Sequence, residues 1–180
     1  MGQLILPLCL LATLAVTLVQ RTGSAAVGNG RGLVCPSSYI KRPGGICLKL
    51  HKKTLSYPAA KASCARDGAE LFTIRSQADN EWVVKVLKYW QRRTGKKRDV
   101  WIGLTDVVAE GTFVWEDGPA FDTTGYSNWA EGAHDVNNGF RDCVFLNKRL
   151  GWRWSIQKCE GKWERDAGPN SYICAKNAVP

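Results

Sequence analysis

Val100-Trp101-Ile102-Gly103-Leu104 is the stretch on which the reading of this chain turns. Its β-branched and aromatic side chains, with no charge among them, read as a short strand. It opens a series. Segments 112–115, 143–146, 152–155 and 172–174 have the same character and are divided by Gly and Asp, so each is expected as a further strand. Trp101, Trp115, Trp129 and Trp154 fall in strand-like contexts and are expected in the core. Trp152, two residues before Trp154, should share its face in an extended strand.

Upstream the pattern changes. Cys35 to Cys47 encloses Pro36, Pro43, Gly44 and Gly45, a turn-rich composition that reads as a hairpin. Ile46, Leu48 and Leu50 then alternate with polar neighbours, as in a strand with one buried face. Ser56 and Pro58 mark a helix start, and Tyr57, Ala60 and Cys64 recur at helical spacing until Asp67-Gly68 stops it. Leu71, Phe72 and Ile74 read as a short strand. Ser76 starts a second helix with Ala78, Trp82, Val83, Leu87, Tyr89 and Trp90 on its apolar side, and Glu81 four residues before Lys85 as an ion pair. Residues 125–142 form a long polar stretch without periodicity, the kind of loop that tends to carry function. Two helices with an antiparallel sheet give one α+β domain.

The chain has seven cysteines. Residues 4–19 form an uncharged apolar run followed by small residues, which reads as a signal peptide over 1–26, with a membrane anchor as the lesser alternative. Its removal takes Cys9 with it and leaves Cys35, Cys47, Cys64, Cys143, Cys159 and Cys174. An even set in an oxidising compartment implies a disulfide framework, although counting alone leaves the pairing open. Zinc is a poor alternative, because no Cys-x2-Cys pair exists and the only histidines are His51 and His134. The expected organisation is a signal over 1–26, a leader over 27–34, a domain over 35–176 and a tail over 177–180. The mature protein is expected outside the cell, with no further membrane span.

At this point the motifs resemble those of the C-type lectin-like domain. Trp101-Ile102-Gly103-Leu104 is similar to that family's core strand, and Phe113-Val114-Trp115 and Asn128-Trp129 follow at similar spacing. Asp142-Cys143-Val144 and Tyr172-Ile173-Cys174 resemble its later cysteine positions. The resemblance implies pairing of Cys64 with Cys174 and of Cys143 with Cys159, with Cys35–Cys47 closing the hairpin of long-form members. It also implies that the long loop is the ligand surface. In sugar-binding members that loop holds calcium through side-chain oxygens, and the ion contacts sugar hydroxyls.

Calcium takes six to eight oxygen ligands, charged carboxylates among them. Here the family's Glu-Pro-Asn motif falls on Ala133-His134-Asp135, its acidic residue ahead of Asp-Cys on Arg141, and its Trp-Asn-Asp motif on Trp154-Ser155-Ile156. Trp163-Glu164-Arg165-Asp166 is a second place for the last motif, but on the far side of Cys159. Of five ligand positions only Asp135 keeps a carboxylate, and Arg141 adds repulsion. The resemblance therefore implies no calcium at the sugar site, and no cofactor is expected. Asp135, Asn137, Asn138 and Arg141, with Trp152 and Trp163, remain as candidate ligand-loop residues. The inserted segment between Cys159 and Cys174, 14 residues long, contains Trp163.

The formal charge of +9 is concentrated. Lys85, Lys88, Arg92, Arg93, Lys96, Lys97 and Arg98 fall within 14 residues, more than a helix dipole requires. The plain reading is a solvated face. The sharper one is a footprint for a polyanion such as a sulfated glycan or an acidic matrix. Nucleic acid is not the expected partner of a secreted chain. With every cysteine expected in a disulfide and no Ser-His-Asp spacing, catalysis is the weakest class. Two functions remain: a lectin for glycans or microbial surfaces, and a structural protein of an extracellular or mineralised matrix.

Overall fold

The computed structural model describes residues 32–95, 98–134, 139–160 and 170–180. The expected signal segment and the leader up to residue 31 lie outside these. The chain begins with a hairpin, β1 (Ile40–Arg42) and β2 (Ile46–Leu55), tied by the Cys35–Cys47 disulfide. Helix α1 (Tyr57–Arg66) follows from Ser56, with Pro58 in its first turn where a missing N–H costs nothing. Tyr57, Ala60 and Cys64 are its buried residues, the face that the period of the sequence marks.

Only Glu70–Leu71 of the expected next strand joins the sheet, as β3. Phe72 stays extended: its N–H donates to Ile173 O, and its carbonyl accepts from Gly103 N at 2.8 Å. Helix α2 (Gln77–Thr94) is capped by Ser76 Oγ, which accepts from Asp79 N at 3.1 Å. It ends at Gly95, whose φ of 66° is a left-handed stop suited to glycine. Its buried stripe is Asn80, Val83, Leu87 and Trp90. Ala78 and Tyr89, expected on that side, are exposed, because nine residues from Asn80 to Tyr89 turn the helix to its opposite face. The expected Glu81–Lys85 pair gives way to Gln77, whose Nε2 donates to Glu81 Oε1 at 2.7 Å.

The remaining strands are β4 (Val100–Thr105), β5 (Val114–Trp115), β6 (Cys143–Asn147), β7 (Arg153–Gln157) and β8 (Asn170–Asn177). They pair in the order β1-β2-β8-β4-β6-β7, with β3 on β8 and β5 on β4. The sheet is mixed and not wholly antiparallel, since β4 and β8 run parallel, Val100 opposite Ser171. A parallel pair needs a long crossover, and the chain supplies one between residues 105 and 170.

Alternation along the strands divides the core. Val100, Ile102, Leu104, Val144, Leu146 and Ile173 face α2, together with Val83, Leu87 and Trp154. Trp101, Phe145, Tyr172 and Cys174 face α1, against Tyr57 and Ala60. A strand buried on both sides must be apolar throughout, and this is why residues 100–104 carry no charge. Gly103 has a further reason. A Cβ there would lie 2.5 Å from the Leu71 carbonyl oxygen, so β3 could not pass. Cys64–Cys174 joins α1 to β8, and Cys143–Cys159 joins the start of β6 to the chain leaving β7.

Candidate functional site

The long polar stretch is anchored at both ends. At its start, Trp154 N donates to Asn128 O and Ala130 N to Trp154 O, both at 2.8 Å, so the chain runs parallel to β7. Trp129 packs edge-on against Trp154 with ring centroids 5.4 Å apart, beside Phe113 and Phe121. His134 stacks over the outer face of Trp129 at 6.2 Å. Phe113, Phe121, Trp129 and His134, with Thr112 and Thr123, line a cavity of about 330 Å³. At the far end, Asp106 N donates to Asp142 O at 3.1 Å.

Asp135, Asn137 and Asn138 lie outside the described residues, as does Trp163. Arg141 is half-buried at the loop's return. Trp152 joins Trp154 in the core, as its expected shared face implies, and at 3% exposed it offers no surface to a ligand, against its expected place among the ligand-loop residues. It is also not in the strand. Its φ of 71° follows the left-handed Gly151, closing a 3-10 turn over Lys148–Leu150. Periodicity missed this because two successive left-handed residues break the alternation on which it relied. Trp154-Ser155-Ile156 does lie in β7, paired with β6. There Ser155 is buried and its Oγ accepts from Asn147 Nδ2 at 3.4 Å, while Ile156 packs on the apolar core.

A group that sequence reading passed over sits at the loop's far end. Asp106 is 4% exposed; its Oδ2 accepts from Gly111 N at 2.9 Å, and its Oδ1 has no hydrogen-bond partner among the described residues. Burial, and then the nearby Glu110 and Asp142, push its carboxyl above the ordinary value. Asp142 is pushed up as well, by burial and by Glu110. Among the described residues no group of three His, Cys, Asp or Glu is placed to hold a metal ion.

The basic cluster lies along α2 and just beyond it. Lys85, Lys88, Arg92 and Arg93 of α2 are exposed, as is Arg98 beyond the helix, while Lys96 and Lys97 lie outside the described residues. Lys85, Lys88 and Arg92 share one helical stripe and, with Glu81 and Val84, line a cleft of about 310 Å³.

A family model described as the lectin C-type domain matches residues 53–176, more than half of the chain. The chain belongs to the C-type lectin domain family. Nattectin, a galactose-specific lectin of Thalassophryne nattereri, is 28% identical over 143 residues, 79% of this chain and 80% of nattectin. A C-type lectin of Micrurus corallinus is 31% identical over 135 residues, 70% of this chain and 77% of its own length. Among solved structures, the mouse scavenger receptor C-type lectin carbohydrate-recognition domain superposes with a TM-score of 0.63 at 28% identity, covering 81% of this chain and 100% of that one.

Within this C-type lectin domain, Ser155 at the first of these motif positions is buried, and Ile156 at the second is partly buried against the core. What these side chains do was not legible in the residue types alone. Ser155 finds Asn147 only because β6 and β7 pair in this register. Likewise the second helix's one buried polar residue, Asn80, is explained by Trp154, whose Nε1 donates to Asn80 Oδ1 at 3.1 Å.

Proposed function

We propose that this C-type lectin domain is a secreted binding protein that recognises glycans or anionic extracellular polymers without the family's sugar-linked calcium ion. The supporting observation is the fate of the two motif positions in β7. Ser155 Oγ is taken up by Asn147, and Ile156 packs on the core and has no side-chain oxygen to offer an ion. Arg141, at the loop's return, brings a cation where a divalent ion would need a carboxylate. The name of nattectin, a relative over most of the chain, favours glycan as the ligand class. A binding role also fits the chemistry. Cys35, Cys47, Cys64, Cys143, Cys159 and Cys174 are in disulfides, and His51 is stacked on Tyr172 at 4.4 Å.

A glycan array run with and without chelator tests this reading. Binding that is indifferent to chelator is expected. Sugar binding lost on chelation would sink it. A second reading, a structural component of an acidic or mineralised matrix, draws on the cations of α2. Silence on neutral sugars, with salt-sensitive retention on acidic polymers in the same array, is the outcome that favours it.

A further inference from the structure

We propose that the anion-binding surface is not confined to α2 but turns onto one end of the sheet, giving a track long enough for a sulfated polysaccharide chain. This inference rests on the anionic-polymer reading above. It begins from Arg98 and Asp99, the two residues before β4. Arg98 Nη1 donates to Thr54 Oγ1 at 3.5 Å, which puts Arg98 against the stretch of β2 that carries Lys52 and Lys53, both exposed. On its other side, Asp99 Oδ1 accepts from Lys148 N at 2.9 Å and fixes the turn that carries Lys148 and Arg149.

Strand pairing places these groups on one end of the molecule. Leu55 lies opposite Asn170, Val100 opposite Ser171 and opposite Leu146, and Leu146 opposite Trp154. Four strand spacings of about 4.8 Å make an end roughly 19 Å wide. The last turn of α2 feeds into it through Arg92 and Arg93. The stripe from Lys85 to Arg92 adds roughly 10 Å at 1.5 Å per residue.

Charge balance supports a polymer over a single anion. Ion pairs among the described residues include Arg42–Asp79, Lys49–Asp67, Lys61–Glu116 and Arg75–Asp117. They consume acids elsewhere and take none of Lys52, Lys53, Lys85, Lys88, Arg92 or Arg98. These six cations, which no ion pair among the described residues takes, gain most from a ligand with repeated charge, since each neutralised group releases counterions. A short fragment should fill only one arm.

Heparin and size-fractionated heparin fragments, bound at a series of salt concentrations, test the idea. Lys52→Ser/Lys53→Ser is expected to weaken binding of long heparin roughly tenfold. It should also make the salt dependence shallower, and leave short fragments nearly unaffected. Lys52→Arg/Lys53→Arg should restore the affinity. If Lys85→Ser/Lys88→Ser/Arg92→Ser weakens binding while Lys52→Ser/Lys53→Ser changes neither affinity nor salt slope, the sheet-end arm is wrong and the helix alone binds. No retention of the unaltered protein overturns both arms and the anionic-polymer reading with them. Loss in the arginine variant too would make the effect structural and overturn the proposal. So would retention on anionic vesicles in place of heparin.

Discussion

Asp106 shows how one residue can be placed against its own preference. A carboxylate 4% exposed, with one oxygen lacking a partner among the described residues and Glu110 and Asp142 nearby, is stabilised more as the neutral acid than as the anion. Its folded pKa is raised, so the folded state binds the proton more tightly than the unfolded chain does. Stability should therefore fall as pH rises from the ordinary carboxylate value through the raised one, then level off. Asp106→Asn keeps an acceptor for Gly111 N and removes the charge. It is expected to raise the Tm at pH 7, with the gain shrinking as pH falls through that window; a gain independent of pH would contradict the account. Nothing in the sequence flagged Asp106, because Glu110 lies within one turn but Asp142 arrives only when the loop returns. Trp152 was missed for a related reason, its left-handed backbone having no local signature.

Elements were more legible than residues. Both helices start after the serines that the sequence marks, Ser56 and Ser76, although only Ser76 caps through its side chain; such signals act within a few residues. The strand at residues 100–104 was legible because burial on both faces leaves a continuous apolar run. Gly103 belongs to this scale, being the gap through which β3 reaches the sheet. Gly103→Ala would force a Cβ to within 2.5 Å of the Leu71 carbonyl, a backbone atom with little room to yield. The expected cost is about 1–3 kcal/mol. Urea unfolding should show a lower midpoint with unchanged slope. A midpoint like that of the unaltered protein would mean that β3 moves freely. Ladder formation itself was less legible, as Phe72 and Ile74 have strand-like composition yet only Glu70–Leu71 pairs with β8.

For the whole molecule, the disulfides set the order of stability. Cys64–Cys174 closes a loop with a sequence separation of 110 and Cys35–Cys47 one of 12. In the chain-entropy model these contribute about 4.7 and about 3 kcal/mol. Alanine at both positions of the first pair should thus destabilise more than alanine at both positions of the second, measured by denaturant unfolding; the reverse order would show that the long loop is held by other contacts. By itself the sequence determined the α+β class, both helices, most strands and, through motif resemblance, the family and its cysteine pairs. The class and the elements depend on periodicity along the chain, and the family and its pairs on the resemblance of the motifs. Only the tertiary structure decided the parallel β4–β8 pair, the left-handed backbone of Trp152, the partner of Ser155, the acidic group at Asp106, and the contact of Arg98 with Thr54. Apart from the Trp152 backbone, each of these joins groups that lie apart in the chain, and their energies depend on distances that exist only after the strands have found their register.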